Sequence, residues 1–131
     1  MGSVLLLLGY LAGSGWHLAG YVEHGRGHFG AALAWVLEQD NSDPVRMAGD
    51  DNFRLGRYVA FYGPQHPGRE IEVVSNREAG RAEWVFVHRL EERHPIEGEM
   101  RDTEGNRFRL ARAYPAGGPA GWGWFVYRRV R

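Results

Sequence analysis

The sequence contains no cysteine and no lysine. Without cysteine there is no disulfide, no thiolate nucleophile and no thiolate-held metal, and the redox compartment goes unread because cysteine-free chains occur everywhere. Without lysine all sixteen basic residues are arginine, and sixteen Asp and Glu cancel them to a formal net charge of +0. No net field therefore draws the chain towards nucleic acid or an anionic membrane, and such a partner would need a local patch. A phosphate-cradling loop is lacking too: GYLAGSGWHLAG has glycines but neither the spacing nor the following lysine. No internal repeat and no linker divides the chain. What is present is globular composition, 44% hydrophobic against 24% charged over 131 residues, enough to bury one real core. Residues 1–131 are read as a single domain.

Residues 4–22, VLLLLGYLAGSGWHLAGYV, are nineteen residues without a full charge. That approaches the length of about 20 that a membrane-spanning helix needs. Gly9, Gly13, Ser14, Gly15, Gly20 and His17 punctuate the run, and no basic residue precedes it as a signal peptide requires. The punctuation favours a buried core segment, and a membrane or signal segment stays open beside it.

Phe29, Ala32, Leu33, Val36 and Leu37 recur at three- and four-residue spacing and predict a helix over 29–39. Asp43 followed by Pro44 reads as an N-cap with proline at the first helical position, opening a short helix that stops near Gly49. NFRLGRYVAFYG fits either period; its aromatic and β-branched content, and the Gly63-Pro64 that follows, favour a strand. Alternation predicts further strands at 69–73, 82–90, 97–101, 107–114 and in the closing WGWFVYRRV. Trp84, Phe86 and His88 fall on one face of the second of these and Val85 and Val87 on the other. In the last strand Trp122, Trp124 and Val126 oppose Phe125 and Tyr127. Helices followed by a strand meander predict an α+β domain, N-terminal helices packed on a curled antiparallel sheet.

REIEVVSNREAGRAEWVFV and the closing GWGWFVY carry a resemblance to the nuclear transport factor 2-like superfamily, which includes ketosteroid isomerases and polyketide cyclases. The similarity runs over residues 29–131. It implies a cone-like roll, a small-molecule pocket between the concave sheet and the helices, and a homodimer formed through the open sheet face. WVFVHRLEERHP, DTEGNRF and GWGWFVY also resemble an extracellular sensor fold of the Cache type. A fold of this kind implies no chemistry, so the site is argued from its residues.

Tyr58, Tyr62, Trp84, Phe86, Trp122 and Trp124 are the candidate lining of an apolar ligand pocket, and equally a candidate core. His88, among aromatics, is the candidate general base, since desolvation would lower its pKa, although Glu83 faces away from it and Asp50 and Asp51 sit in a loop. His17, His24 and His28, with Glu23, have the spacing of one helical stripe, but Gly25 and Gly27 weaken that helix. No metal site and no cofactor is expected. Arg107, Arg109, Arg112, Arg128, Arg129 and Arg131 fall on two strands expected to be neighbours; acids balance them, which argues for a solvated outer face over a nucleic-acid surface. The expectation is a domain that binds a small apolar molecule, in its enzyme form a cofactor-free isomerase, cyclase or hydrolase. The alternative is a non-catalytic interaction module, self-associating or membrane-anchored through residues 4–22.

Overall fold

The computed structural model describes Gly9, residues 13–15, 28–90, 95–115 and 122–131, without the side chains at 76, 77 and 79. His17, Glu23 and His24 and nearly all of the apolar run lie outside the described residues. The elements are α1 (Phe29–Gln39), β1 (Val45–Gly49), α2 (Asn52–Tyr62), β2 (Ile71–Val73), β3 (Trp84–Arg89), β4 (Glu99–Arg101), β5 (Arg107–Tyr114) and β6 (Gly123–Arg129), with short 3-10 turns at Gly63–Gln65 and Asn76–Arg81. They form an α+β domain around one open six-stranded sheet in the order β2-β1-β3-β6-β5-β4.

The sheet is mixed, which corrects the wholly antiparallel expectation. β1 pairs in parallel with both β2 and β3, while β3, β6, β5 and β4 pair antiparallel. Two segments account for the difference. Residues 45–49 form a strand where a helix was predicted: Val45 and Met47 are buried with Arg46 between them, a two-residue period, and five residues are too few for a stable isolated helix. Residues 52–62 form a helix where a strand was predicted. Asp51 caps it by accepting the main-chain N–H of Arg54 at 3.0 Å, and buried Leu55 with half-buried Tyr58, Val59 and Tyr62 puts one helical face on the sheet. β1, α2 and β2 thus form a parallel crossover unit, of the kind that needs a helix to return the chain.

α1 and α2 cover one face of the sheet. Phe29, Leu33, Val36 and Leu37 of α1 meet Val45, Met47, Trp84, Phe86, Trp124 and Val126 in the main core. Gly30 allows the closest helix approach: a Cβ there would stand 2.8 Å from the Tyr62 ring. At the far end of α1, buried Asp40 accepts the Trp84 indole N–H at 2.7 Å and the Ser42 hydroxyl at 2.6 Å. The other face carries a smaller cluster of Val85, Val87, Phe108, Phe125 and Tyr127, closed by Ile96, Met100 and Leu110. Tyr127 donates to the Glu97 carbonyl at 2.7 Å. The β4–β5 turn is fixed by Asp102, which accepts from the main chain of Glu104 and Asn106, and by Gly105 at φ +84.

Candidate functional site

β1 and β3 run side by side, with Gly49 opposite Phe86. The residues at their carboxyl ends, Asp50 and Asp51 after β1 and His88 in β3, meet the first turn of α2. A helix N-terminus and the carboxyl ends of adjacent parallel strands converge there, where open α/β sheets take their ligands.

Asp50 ties the two strand ends together. Its Oδ2 accepts the main-chain N–H of His88 at 3.2 Å and its Oδ1 that of Asp51 at 3.0 Å. Burial raises its pKa above the ordinary carboxylate value against the pull of those two bonds. Asp51, besides capping α2, lies 3.5 Å from the Arg54 guanidinium. A second NH group of Arg54 stands 3.1 Å from His88 Nδ1. A guanidinium can only donate, so Nδ1 accepts and the neutral ring carries its proton on Nε2.

The His88 imidazole stacks on the Trp124 indole, centroids 4.3 Å apart and planes 20° apart, and Trp122 lies 5.3 Å away on the same residue. Burial, helped by the Arg54 charge, pushes the His88 pKa from 6.5 down to about 4, although a hydrogen bond to the Trp122 main chain pulls the other way. His88 is therefore neutral at pH 7. As a general base it is poorly placed: Nδ1 already accepts from Arg54, and a base of pKa about 4 has little driving force at neutral pH. Asp50 and Asp51 come close, but the contacts of their carboxylates run to main-chain N–H groups and Arg54 and not to the imidazole.

The predicted pocket aromatics separate into three environments. Trp84, Phe86 and Trp124 are fully buried, and Phe29 of α1 fills the space between the last two and α2, its ring centroid 4.8 Å from Trp124, 5.4 Å from Phe86, 5.0 Å from Tyr58 and 5.6 Å from Tyr62. Tyr58 and Tyr62 are half-buried against that core and also line a groove of about 290 Å³ on α2, shared with Arg57 and Phe61. Trp122, 45% exposed, stands beside His88 with the Arg54 guanidinium 6.0 Å over its ring. Trp124 is 1% exposed, and among the described residues its indole Nε1 finds no acceptor. A buried donor without an acceptor costs about 1–3 kcal/mol, so native proteins keep few of them.

No family model, no curated protein and no solved structure matches this chain. The geometry alone speaks for the site. Among the described residues no group of His, Asp and Glu side chains is arranged to hold a metal ion.

The arginines of β5 and β6 are neighbours, as their positions predicted, and they are engaged. Arg107 and Arg109 bond Glu99 at 3.1 and 2.9 Å, Arg129 bonds the Gly80 carbonyl and Asn106, and Arg128 and Arg131 flank Glu83 at 4.0 and 3.5 Å. Two residues of the candidate site were missed by sequence reasoning, Arg54 and Phe29. Arg54 was hidden by reading NFRLGRYVAFYG, residues 52–63, as a strand, although Asp51 three residues before it is an N-cap signal. Phe29 carried no signal beyond its place on the apolar stripe of α1.

Proposed function

We propose that the chain is a non-catalytic binding domain for a small ring compound that carries an oxygen acceptor. Its site is the corner formed by Arg54, His88, Trp122 and Trp124. The observation that carries this reading is the buried indole N–H of Trp124, which has no partner among the described residues and belongs to the ring that stacks on His88. An oxygen of the ligand accepts from Trp124 Nε1, Arg54 supplies a charged donor, and Trp122 offers a ring face. Asp51 offsets part of the Arg54 charge, which suits a singly charged or neutral ligand better than a phosphate ester. The non-catalytic form is favoured because His88 is held neutral with Nδ1 occupied, so acid–base chemistry has no free partner there.

The test is a calorimetric titration with benzoate, acetate and toluene. Benzoate, with both ring and acceptor, binds the wild type, and acetate and toluene each bind about tenfold or more weakly, a ratio worth about 1.4 kcal/mol. Arg54→Leu and Trp122→Ala each weaken benzoate while leaving the fold intact. Equal affinities for all three probes, or variants that bind benzoate as wild type does, would refute the site.

A second reading, an interaction module held at a membrane, is favoured by a different observation. The two most exposed large apolar side chains among the described residues, Phe53 at 78% and Phe61 at 70%, both stand on α2.

A further inference from the structure

The geometry points to the outer face of α2 as a surface that rests on a lipid bilayer, with Phe53 and Phe61 in the acyl-headgroup boundary and Arg57 between them at the phosphates. This goes beyond the ligand site and is independent of it. Phe53, Arg57 and Phe61 are spaced i, i+4 and i+8, so they form one row along the helix, and all three are exposed. The opposite row, Leu55, Tyr58, Val59 and Tyr62, packs on the sheet. α2 is thus apolar on two sides, and among the described residues Phe53 and Phe61 of its second apolar row stay 78% and 70% exposed. The outer row carries Arg57 and no acid, so it is locally cationic in a chain whose net charge is +0. Aromatic side chains beside arginine are the composition of interfacial helices that lie on membranes.

The position of the chain's apolar run selects the bilayer over other occupants. Residues 4–22 are uncharged and only six residues, 23–28, separate them from Phe29. Six residues span at most about 20 Å. Phe29 packs on Tyr58 and Tyr62 of α2, and Gly30 lies under the Tyr62 ring. A membrane segment over 4–22 would hold the start of α1, and with it the α2 residues packed on Phe29, within about 20 Å of the lipid. None of the described helices is long and apolar enough to cross a membrane, so the contact of α2 itself is peripheral.

The absence of native cysteine makes a direct test clean. Phe53→Cys, Phe61→Cys and, as a control on β5, Arg109→Cys are introduced singly into the full chain and spin-labelled. The labelled chain is reconstituted with vesicles of phosphatidylcholine and phosphatidylglycerol. Accessibility to oxygen, which partitions into lipid, is compared with accessibility to a water-soluble nickel chelate. The expected result is an oxygen-to-nickel ratio at 53 and 61 several-fold above that at 109. Labels at 53 and 61 as wet as the label at 109, on protein that stays with the vesicles, would overturn the docking face while leaving the anchor. Protein that remains in the vesicle-free supernatant would overturn the membrane reading altogether. Labels shielded from both reagents and broadened by a neighbouring label would assign the face to a second copy of the chain and overturn the lipid proposal.

Discussion

Lowering the pH should destabilise the fold through His88 in a window set by its environment. Above pH 6.5 the imidazole is neutral in both the folded and the unfolded chain, and its contribution does not vary with pH. Below 6.5 the unfolded chain takes up a proton that the folded chain refuses until about pH 4, because the ring is half-buried on Trp124 and faces the Arg54 guanidinium. Stability is therefore fully present above pH 6.5 and is lost as the pH falls towards 4. The interval from 6.5 to about 4 corresponds to about 3 kcal/mol at the most, an upper bound because His88 keeps some contact with water. Urea unfolding at pH 7.5, 6, 5 and 4.5 measures the loss, and the imidazole carbon resonance of His88 gives its pKa directly. His88→Gln should remove this component of the pH dependence and leave that of the carboxylates. Arg54→Leu should raise the His88 pKa but leave it below 6.5, since burial is the larger cause. A His88 that titrates near 6.5 in the wild type would refute the reasoning, and with it the neutral, Arg54-bonded ring.

Two further changes separate core from site. Phe29→Ala removes the ring wedged between α2, Phe86 and Trp124 and should cost about 3–5 kcal/mol; if the variant stays folded, the apolar cavity it leaves should take up benzene, detected as a rise in Tm with the ligand. Asp40→Ala strips the acceptor from the Trp84 indole N–H and the Ser42 hydroxyl and should cost about 1–3 kcal/mol by chemical unfolding, with no effect on benzoate binding.

Elements whose local pattern agrees with their tertiary role were legible in the sequence. α1, β3, β5 and β6 lie where periodicity placed them, and Trp84, Phe86 and His88 share the helix-covered face while Val85 and Val87 share the other. β1 and α2 were exchanged in type for a physical reason. VRMAG is too short for its period to outweigh the helix-opening look of Asp43-Pro44, and the aromatic content of NFRLGRYVAFY mimics a strand while its i, i+3, i+7 face is that of a helix packed on a sheet. That exchange hid the parallel pairing, because a crossover needs a strand, a helix and a strand in that order. It also hid the site. With 52–63 read as a strand, Arg54 could not be set opposite His88, and Asp50 and Asp51 stayed in an unplaced loop. The six aromatics were legible as a set but not as core, groove and surface, since that division depends on Phe29 filling the centre.

If the Trp124 indole N–H donates to a ligand oxygen, the indole 15N–1H resonances of Trp122 and Trp124 report it most directly. Assignment by single Trp→Phe variants, followed by titration with benzoate, should move the Trp124 signal downfield as its proton gains an acceptor, with Trp122 shifting by ring stacking and Trp84, bonded to Asp40, unmoved. A Trp124 signal that stays at one position throughout the titration would contradict the account and leave the corner as a packed end of the core.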